Sequence, residues 1–368
     1  MPSQILHTLF GEDIIKGLYS RLKKEFGTRF GLLAEKALER ITGEYHSAFV
    51  LGCQGPDIFY HSQGRKPVGL SIGTLLHRRG YGFFTARLLK MGLPDPPPDE
   101  DDIRNHRREK GINAMGCYAL GFMTHALLDR HCHPYIVYKT EKKYHAFFER
   151  IIDVLMLKEL RGKDISAWDQ NSTLSSICVH PPLGLKELIA RALVETFPEK
   201  VGTDKKLAQR IDNTFADCSN FYTLTCPQRT ALSVQSPDLD RALTIFGPNA
   251  IFYIYPEQLP DEIDFLNRKH APWHYPYIPP SYGAPPCDTR SFPELYADAL
   301  NAGLNALAPC IIQYLATGIF PIPEAARSIG NLSLSIQDEN GHPCQPNLTD
   351  PLPLGEVLRQ QGALRGIA

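Results

Sequence analysis

The sequence predicts a mainly α-helical fold, in which several helices enclose one site and a less regular C-terminal region packs on them. Three observations lead there. Apolar residues recur every three or four positions through most of the first 225 residues. The chain has no strand–helix alternation of the doubly wound kind, no GxGxxG and no other Gly-rich phosphate loop. Residues 118–149, YALGFMTHALLDRHCHPYIVYKTEKKYHAFFE, set histidines and carboxylates at helical spacing within apolar stretches.

The elements follow in chain order. Ile14, Ile15, Leu18, Leu22 and Phe26 mark a helix from Asp13 to Phe26. Gly27 is expected to end it, with Thr28 capping a second helix through Phe30, Leu32, Leu33, Ala37, Leu38 and Ile41. The apolar run Phe49–Tyr60, around Gly52, Gly55 and Pro56, reads as strand-like or as a tight turn. Tyr81–Met91 reads as a helix and Leu93–Asp102, LPDPPPDEDD, as a rigid acidic loop. Residues 112–131 and 141–160 are helical by periodicity, the first expected to end just before Pro134.

Leu183–Phe197 and Thr203–Phe221 carry further helical stripes. Ser236, Pro237, Asp238 and Asp240 make a helix start for 236–245. Pro256–Pro286 is too rich in Pro for regular structure. Its Trp273, Tyr275, Tyr277 and Tyr282 imply an ordered loop over the body, covering a core edge in preference to closing over a site. Ser291 and Glu294 form a capping box for a helix to Leu315, with Gly318 beyond. The LSLSI alternation at 332–336 and the turn at Glu339, Asn340 and Gly341 allow a short hairpin. The expected division is a helical domain over residues 1–225 and an extension over 226–368.

Composition narrows the function. With 368 residues, 43% hydrophobic and 21% charged, the chain can bury a large core. A net charge of −1 argues against stable binding along a nucleic-acid backbone. The N-terminal stretch lacks a secretory pattern, and no unbroken apolar run reaches the length needed to span a bilayer. Nine cysteines without a CxxC pair read mostly as buried thiols in a reducing cytoplasm.

The chemistry lies in residues 125–149. His125 and Asp129 stand four apart, as do His145 and Glu149, so each pair shares a helix face. His131 and His133 lie between them. A carboxylate on a buried stripe needs a partner, and two such pairs can present metal ligands from neighbouring helices.

YALGFMTHALLDRHCHPY followed by HAFFERIIDVL resembles the zinc-dependent phospholipase C family, which shares its fold with zinc-dependent single-strand nucleases. The family's HxxxD, following His and HxxxE correspond to His125/Asp129, His133 and His145/Glu149, with His131 competing with His133. LGCQGPDIF, Leu51–Phe59, is similar to the family's GPD segment and implies Asp57 as ligand and candidate base. Two further ligands are implied, best matched by His77, with His61 competing, and by His7. The resemblance covers residues 1–160.

It implies a phospholipase C-like domain with two or three Zn2+ ions. Asp129, between two His-bearing positions, is the candidate to bridge two of them. The implied activity is hydrolysis of a phosphate ester, either a small molecule or a phospholipid, by hydroxide generated at the ions. In secreted members the N-terminal amine also binds zinc; here that requires Met1 or Pro2 to reach the site. Arg78, Arg79 and Arg130 are candidates for a phosphate oxygen. The alternatives are a single-strand nuclease and a non-catalytic zinc scaffold. The sequence says nothing of oligomeric state.

Overall fold

The computed structural model describes residues 4–93, 112–227, 252–253, 255–256, 258–281 and 287–364, apart from the side chains of 25–33 and 362–364. The N-terminal amine, the 94–102 part of the acidic loop, the 236–245 helix and Tyr282 lie outside these residues.

The fold is mainly α-helical. Helix α1 runs Gln4–Thr42 and α2 His46–Cys53, followed by a 3-10 turn over Gly55–Phe59. Next come α3 (Leu70–Arg78), α4 (Tyr81–Gly92), α5 (Ala114–Tyr138) and α6 (His145–Arg161). α7 (Gln170–Val179), α8 (Leu185–Thr196), α9 (Pro198–Val201) and α10 (Leu207–Leu224) complete the first part. α11 (Phe292–Thr317), α12 (Ile322–Ile329) and α13 (Leu354–Leu364) follow. The β-structure among the described residues is a two-stranded pair, Trp273–His274 against Cys287–Asp288, plus an isolated bridge between Gln337 and Pro343.

Three expectations need correction. Gly27 does not break α1, because a helix-interior glycine costs only about 1 kcal/mol and its neighbours continue the stripe. Phe49–Tyr60 is α2 and a 3-10 turn, not a strand. Ala48–Cys53 are all buried, so a continuous apolar run here marks a helix covered on every side. Pro134 does not end α5, which continues to Tyr138. A proline inside a helix costs about 3 kcal/mol, but Cys132, Tyr135 and Ile136 on either side of it are fully buried, and that packing outweighs the lost hydrogen bond.

α5 is the axis of the molecule, packed by α2, α4, α11 and α1. α2 lies close on it because both surfaces carry glycine. A Cβ at Gly52 would stand 2.1 Å from the Tyr118 carbonyl oxygen, and one at Gly121 2.3 Å from that of Phe49. Gly55 then turns the chain at φ +55, where a Cβ would sit 2.4 Å from the His125 ring. Only glycine lets this backbone pass the imidazole.

The hydrophobic core is continuous from α1 to α13. α11 begins with the Ser291–Glu294 capping box and ends at Gly318 in the left-handed conformation. It is long and apolar enough to cross a membrane, yet it packs Phe292, Leu295, Tyr296, Ala299 and Leu307 into the core. Asp298, Asn301 and Asn305 interrupt its apolar sequence, which is why no unbroken run stands out. In the aromatic loop Trp273 is buried edge-on to Tyr135 at 5.4 Å, so this residue covers the core.

Candidate metal centre

The continuity of α5 through Pro134 determines the site. His125, Asp129 and His133 stand at i, i+4 and i+8, on one stripe. His131 falls off that stripe, and its Nδ1 bonds the Leu127 carbonyl at 2.8 Å. On α6, His145, Glu149 and Asp153 repeat the spacing. The fully buried Asp153 carboxylate accepts the N–H groups of Ile5 (3.2 Å) and Leu6 (2.9 Å). It satisfies two donors at the start of α1, and its charge suits that end of the helix. His7 is thereby held one turn into α1, beside α5.

All eight residues singled out in the sequence fall into three groups: His7, His125 and Asp129; Asp57, His77 and His125, which shares His125 with the first; and a separate group of His133, His145 and Glu149. The Asp129 oxygens diverge, Oδ1 lying 3.4 Å from His7 Nε2 and Oδ2 3.2 Å from His125 Nε2. Asp57 Oδ1 lies 3.1 Å from His77 Nε2 and 3.8 Å from His125 Nε2. His145 Nε2 lies 3.0 Å from both His133 Nε2 and Glu149 Oε1. His61 belongs to none of these groups and stacks on Phe221 at 3.6 Å.

These residues fit a metal. Tetrahedral coordination with bonds of 2.0–2.1 Å separates ligand atoms by about 3.3 Å, within the spread observed here. His7 Nε2, His77 Nε2, His125 Nε2, Asp57 Oδ1 and both Asp129 oxygens are buried yet make no hydrogen bond. Buried polar atoms left in this way are costly unless a cation takes them. The imidazoles are also oriented from behind. His77 Nδ1 bonds the Gly73 carbonyl at 2.8 Å, and His125 Nδ1 bonds that of Cys53 at 3.3 Å. Since a carbonyl only accepts, each Nε2 keeps its lone pair for the cluster.

Charge agrees with geometry. Burial alone would raise the Asp129 carboxyl, but the His125 and His7 imidazoles hold it well below the usual range. Asp57 is likewise lowered against burial, by His125 and His77, and Glu149 against burial by surrounding positive charge that includes His145. Burial pushes His133 well below the normal histidine value, so it is neutral and ready to ligate. Three anionic carboxylates therefore face imidazole nitrogens.

The arginines divide. Arg130 donates to the carbonyls of Ile329, Gly330 and Leu332, which removes it as a phosphate ligand. Arg78 and Arg79 are exposed at the end of α3, immediately after His77. Sequence reasoning misses Asp153, whose role is a contact far along the chain, and Tyr60, which stacks on His77 at 4.8 Å.

Residues 7–194 match the family described as zinc dependent phospholipase C. No curated protein and no solved structure matches the chain significantly. The family match spans just over half the chain and takes in every residue of the three groups, and the chain belongs to the zinc-dependent phospholipase C family.

Proposed function

We propose that this protein hydrolyses a phosphate ester, with a phospholipid as the first substrate class to test, at a site of two or three zinc ions held by His7, Asp57, His77, His125, Asp129, His133, His145 and Glu149. The observation that carries this is the gathering of those eight side chains into three groups at metal-like spacings, with donor atoms of His7, Asp57, His77, His125 and Asp129 buried and without a hydrogen bond. Residues 1–225 form the catalytic part of this reading and 226–368 an extension whose described residues pack on it.

Zinc, when bound, supplies Lewis acidity and lowers the pKa of water. The protein's part is positioning and proton transfer. Asp129, with one oxygen toward each of two imidazoles, is the carboxylate that would be shared between two ions. Asp57 is charged and, with a side chain 14% exposed, is accessible to an attacking water, which it orients and deprotonates. Among the described residues the His133 group offers three protein ligands, where a closed structural zinc site has four. That favours catalysis over a scaffold. A cytoplasmic setting belongs to the same proposal, supported by nine free cysteines, six of them buried.

The test is elemental analysis of the purified protein, then assays on phosphatidylcholine, bis-p-nitrophenyl phosphate and single-stranded DNA. Zinc at two or more per chain, with turnover of phosphatidylcholine, is expected. Turnover of single-stranded DNA alone would replace the reading with the nuclease one, and zinc without turnover of any of the three would leave a scaffold.

A further inference from the structure

We propose that Ser335, carried by the C-terminal segment 329–336, is a positioning residue that fixes the ring tautomer of His133 and thereby sets zinc affinity at the His133/His145/Glu149 group. The inference rests on the metal-site reading above and extends it to a residue outside the family match, which ends at 194.

Ser335 Oγ lies 2.9 Å from His133 Nδ1, on the far side of the ring from Nε2, which faces His145 and Glu149. The other imidazoles of the cluster with an acceptor behind Nδ1 find it within residues 7–194. His77 uses a carbonyl of its own helix and His125 one from α2. His145 has Thr140 Oγ1 at 3.5 Å, whose own proton goes to the Ile136 carbonyl. The partner behind His133 comes from 202 residues away and is a hydroxyl, able to accept from Nδ1–H or to donate to Nδ1; in the proposed arrangement it accepts. With Nδ1–H donating to Ser335 Oγ, Nε2 holds a lone pair directed at the group. A proton on Nε2 instead would block ligation.

The segment is fastened to the same walls that carry the ligands. The Leu334 N–H donates to the carbonyl of His77 at 2.9 Å, and the Gly80 N–H to that of Asn331 at 2.9 Å. Asn331 Oδ1 accepts the Phe83 N–H at 2.9 Å. Arg130, adjacent to Asp129 in sequence, holds the carbonyls of Ile329 and Gly330. Leu334 and Ile336, on either side of Ser335, are buried at 0% and 5% exposure. The hydroxyl is thus delivered by a docked strap, with one residue touching His77 and the next touching His133.

The experiment compares full-length wild type, Ser335→Ala and Ser335→Thr. Zinc retained per chain is measured by elemental analysis across a series of chelator-buffered free-zinc concentrations. Ser335→Ala is expected to lose one equivalent of zinc at about 10–100-fold higher free zinc than wild type, with the remaining zinc unaffected. Ser335→Thr is expected to restore the wild-type curve. In metal-free protein, two-bond 15N–1H correlation should report the Nδ1–H tautomer for His133 in wild type and a mixture in Ser335→Ala, a readout that loss of packing alone would not move.

An unchanged zinc curve for Ser335→Ala, an Nε2–H tautomer in wild type, or wild type that binds no zinc overturns the proposal. Uniform zinc loss with a lower unfolding temperature in the metal-free variant also overturns it, as a packing effect. Wild type that binds zinc but hydrolyses none of the phosphate esters overturns the proposed function and leaves this inference standing.

Discussion

Replacing Asp129 by Ala is the most informative single change. The side chain is fully buried, and its two oxygens face His7 at 3.4 Å and His125 at 3.2 Å. Both would be lost together, and among the described residues no other carboxylate belongs to the His7 group. At a hundredfold excess of zinc over its dissociation constant, one bound ion stabilises the folded state by about 2.7 kcal/mol. For a chain of this length the unfolding entropy is about 0.8 kcal/mol per kelvin, so each ion raises the thermal midpoint by about 3–4 °C. The readout is the midpoint with zinc minus the midpoint with chelator, which cancels any packing loss. In Asp129→Ala that difference should fall by at least one ion's worth, zinc per chain by at least one, and phosphodiesterase activity with them. Full zinc content with an undiminished zinc-induced shift would refute the bridging role.

Asp57→Asn should keep most of the zinc, because an amide oxygen still ligates, while kcat falls about 10²–10⁴-fold; steady-state kinetics beside elemental analysis separates the two effects. Asp153→Ala leaves the Ile5 and Leu6 N–H groups buried without an acceptor, so stability should fall by about 2–4 kcal/mol in urea unfolding, and His7 should lose its place. His61 titrates near 3 because burial disfavours its charged form. The unfolded chain protonates it at about 6.5, so its neutral form contributes fully above that pH. As the pH falls from about 6.5 toward 3 the unfolded state gains a proton that the folded state refuses, and stability drops by at most about 1.4 kcal/mol per pH unit. His61→Leu should flatten the urea midpoint between pH 7 and pH 5; an unchanged slope would show that another group titrates.

Much of this site is legible in the amino-acid order alone. The two i,i+4 pairs are local, and a helix must place each on one face, so His125/Asp129 and His145/Glu149 can be read from spacing. His7, Asp57 and His77 carry no such local signal. Each is a single polar residue in a separate segment, and only the family resemblance singles them out. The His131/His133 ambiguity comes from the short gap after Asp129, which leaves two histidines in reach. Proline reads as a helix end, yet burial around residue 134 compensates the missing hydrogen bond, and the i+8 register of His133 follows from the unbroken helix. Gly27 misleads in the same way, since its local penalty is opposed by packing that no short window contains. Asp153 and Ser335 escape a reading of the sequence because their partners lie 147 and 202 residues away, and no periodicity encodes a contact between distant segments.

The core that runs from α1 to α13 is built from side chains outside the cluster, and the eight donors are spread over five separate stretches of chain. Small zinc modules, by contrast, fold only when their ion arrives. For the proposed zinc site the order would be reversed: donors this far apart in sequence meet only once the helices have closed. Zinc uptake would then serve as a stopwatch for completed folding, with a slow-loading variant reporting trouble in the scaffold before trouble in the chemistry.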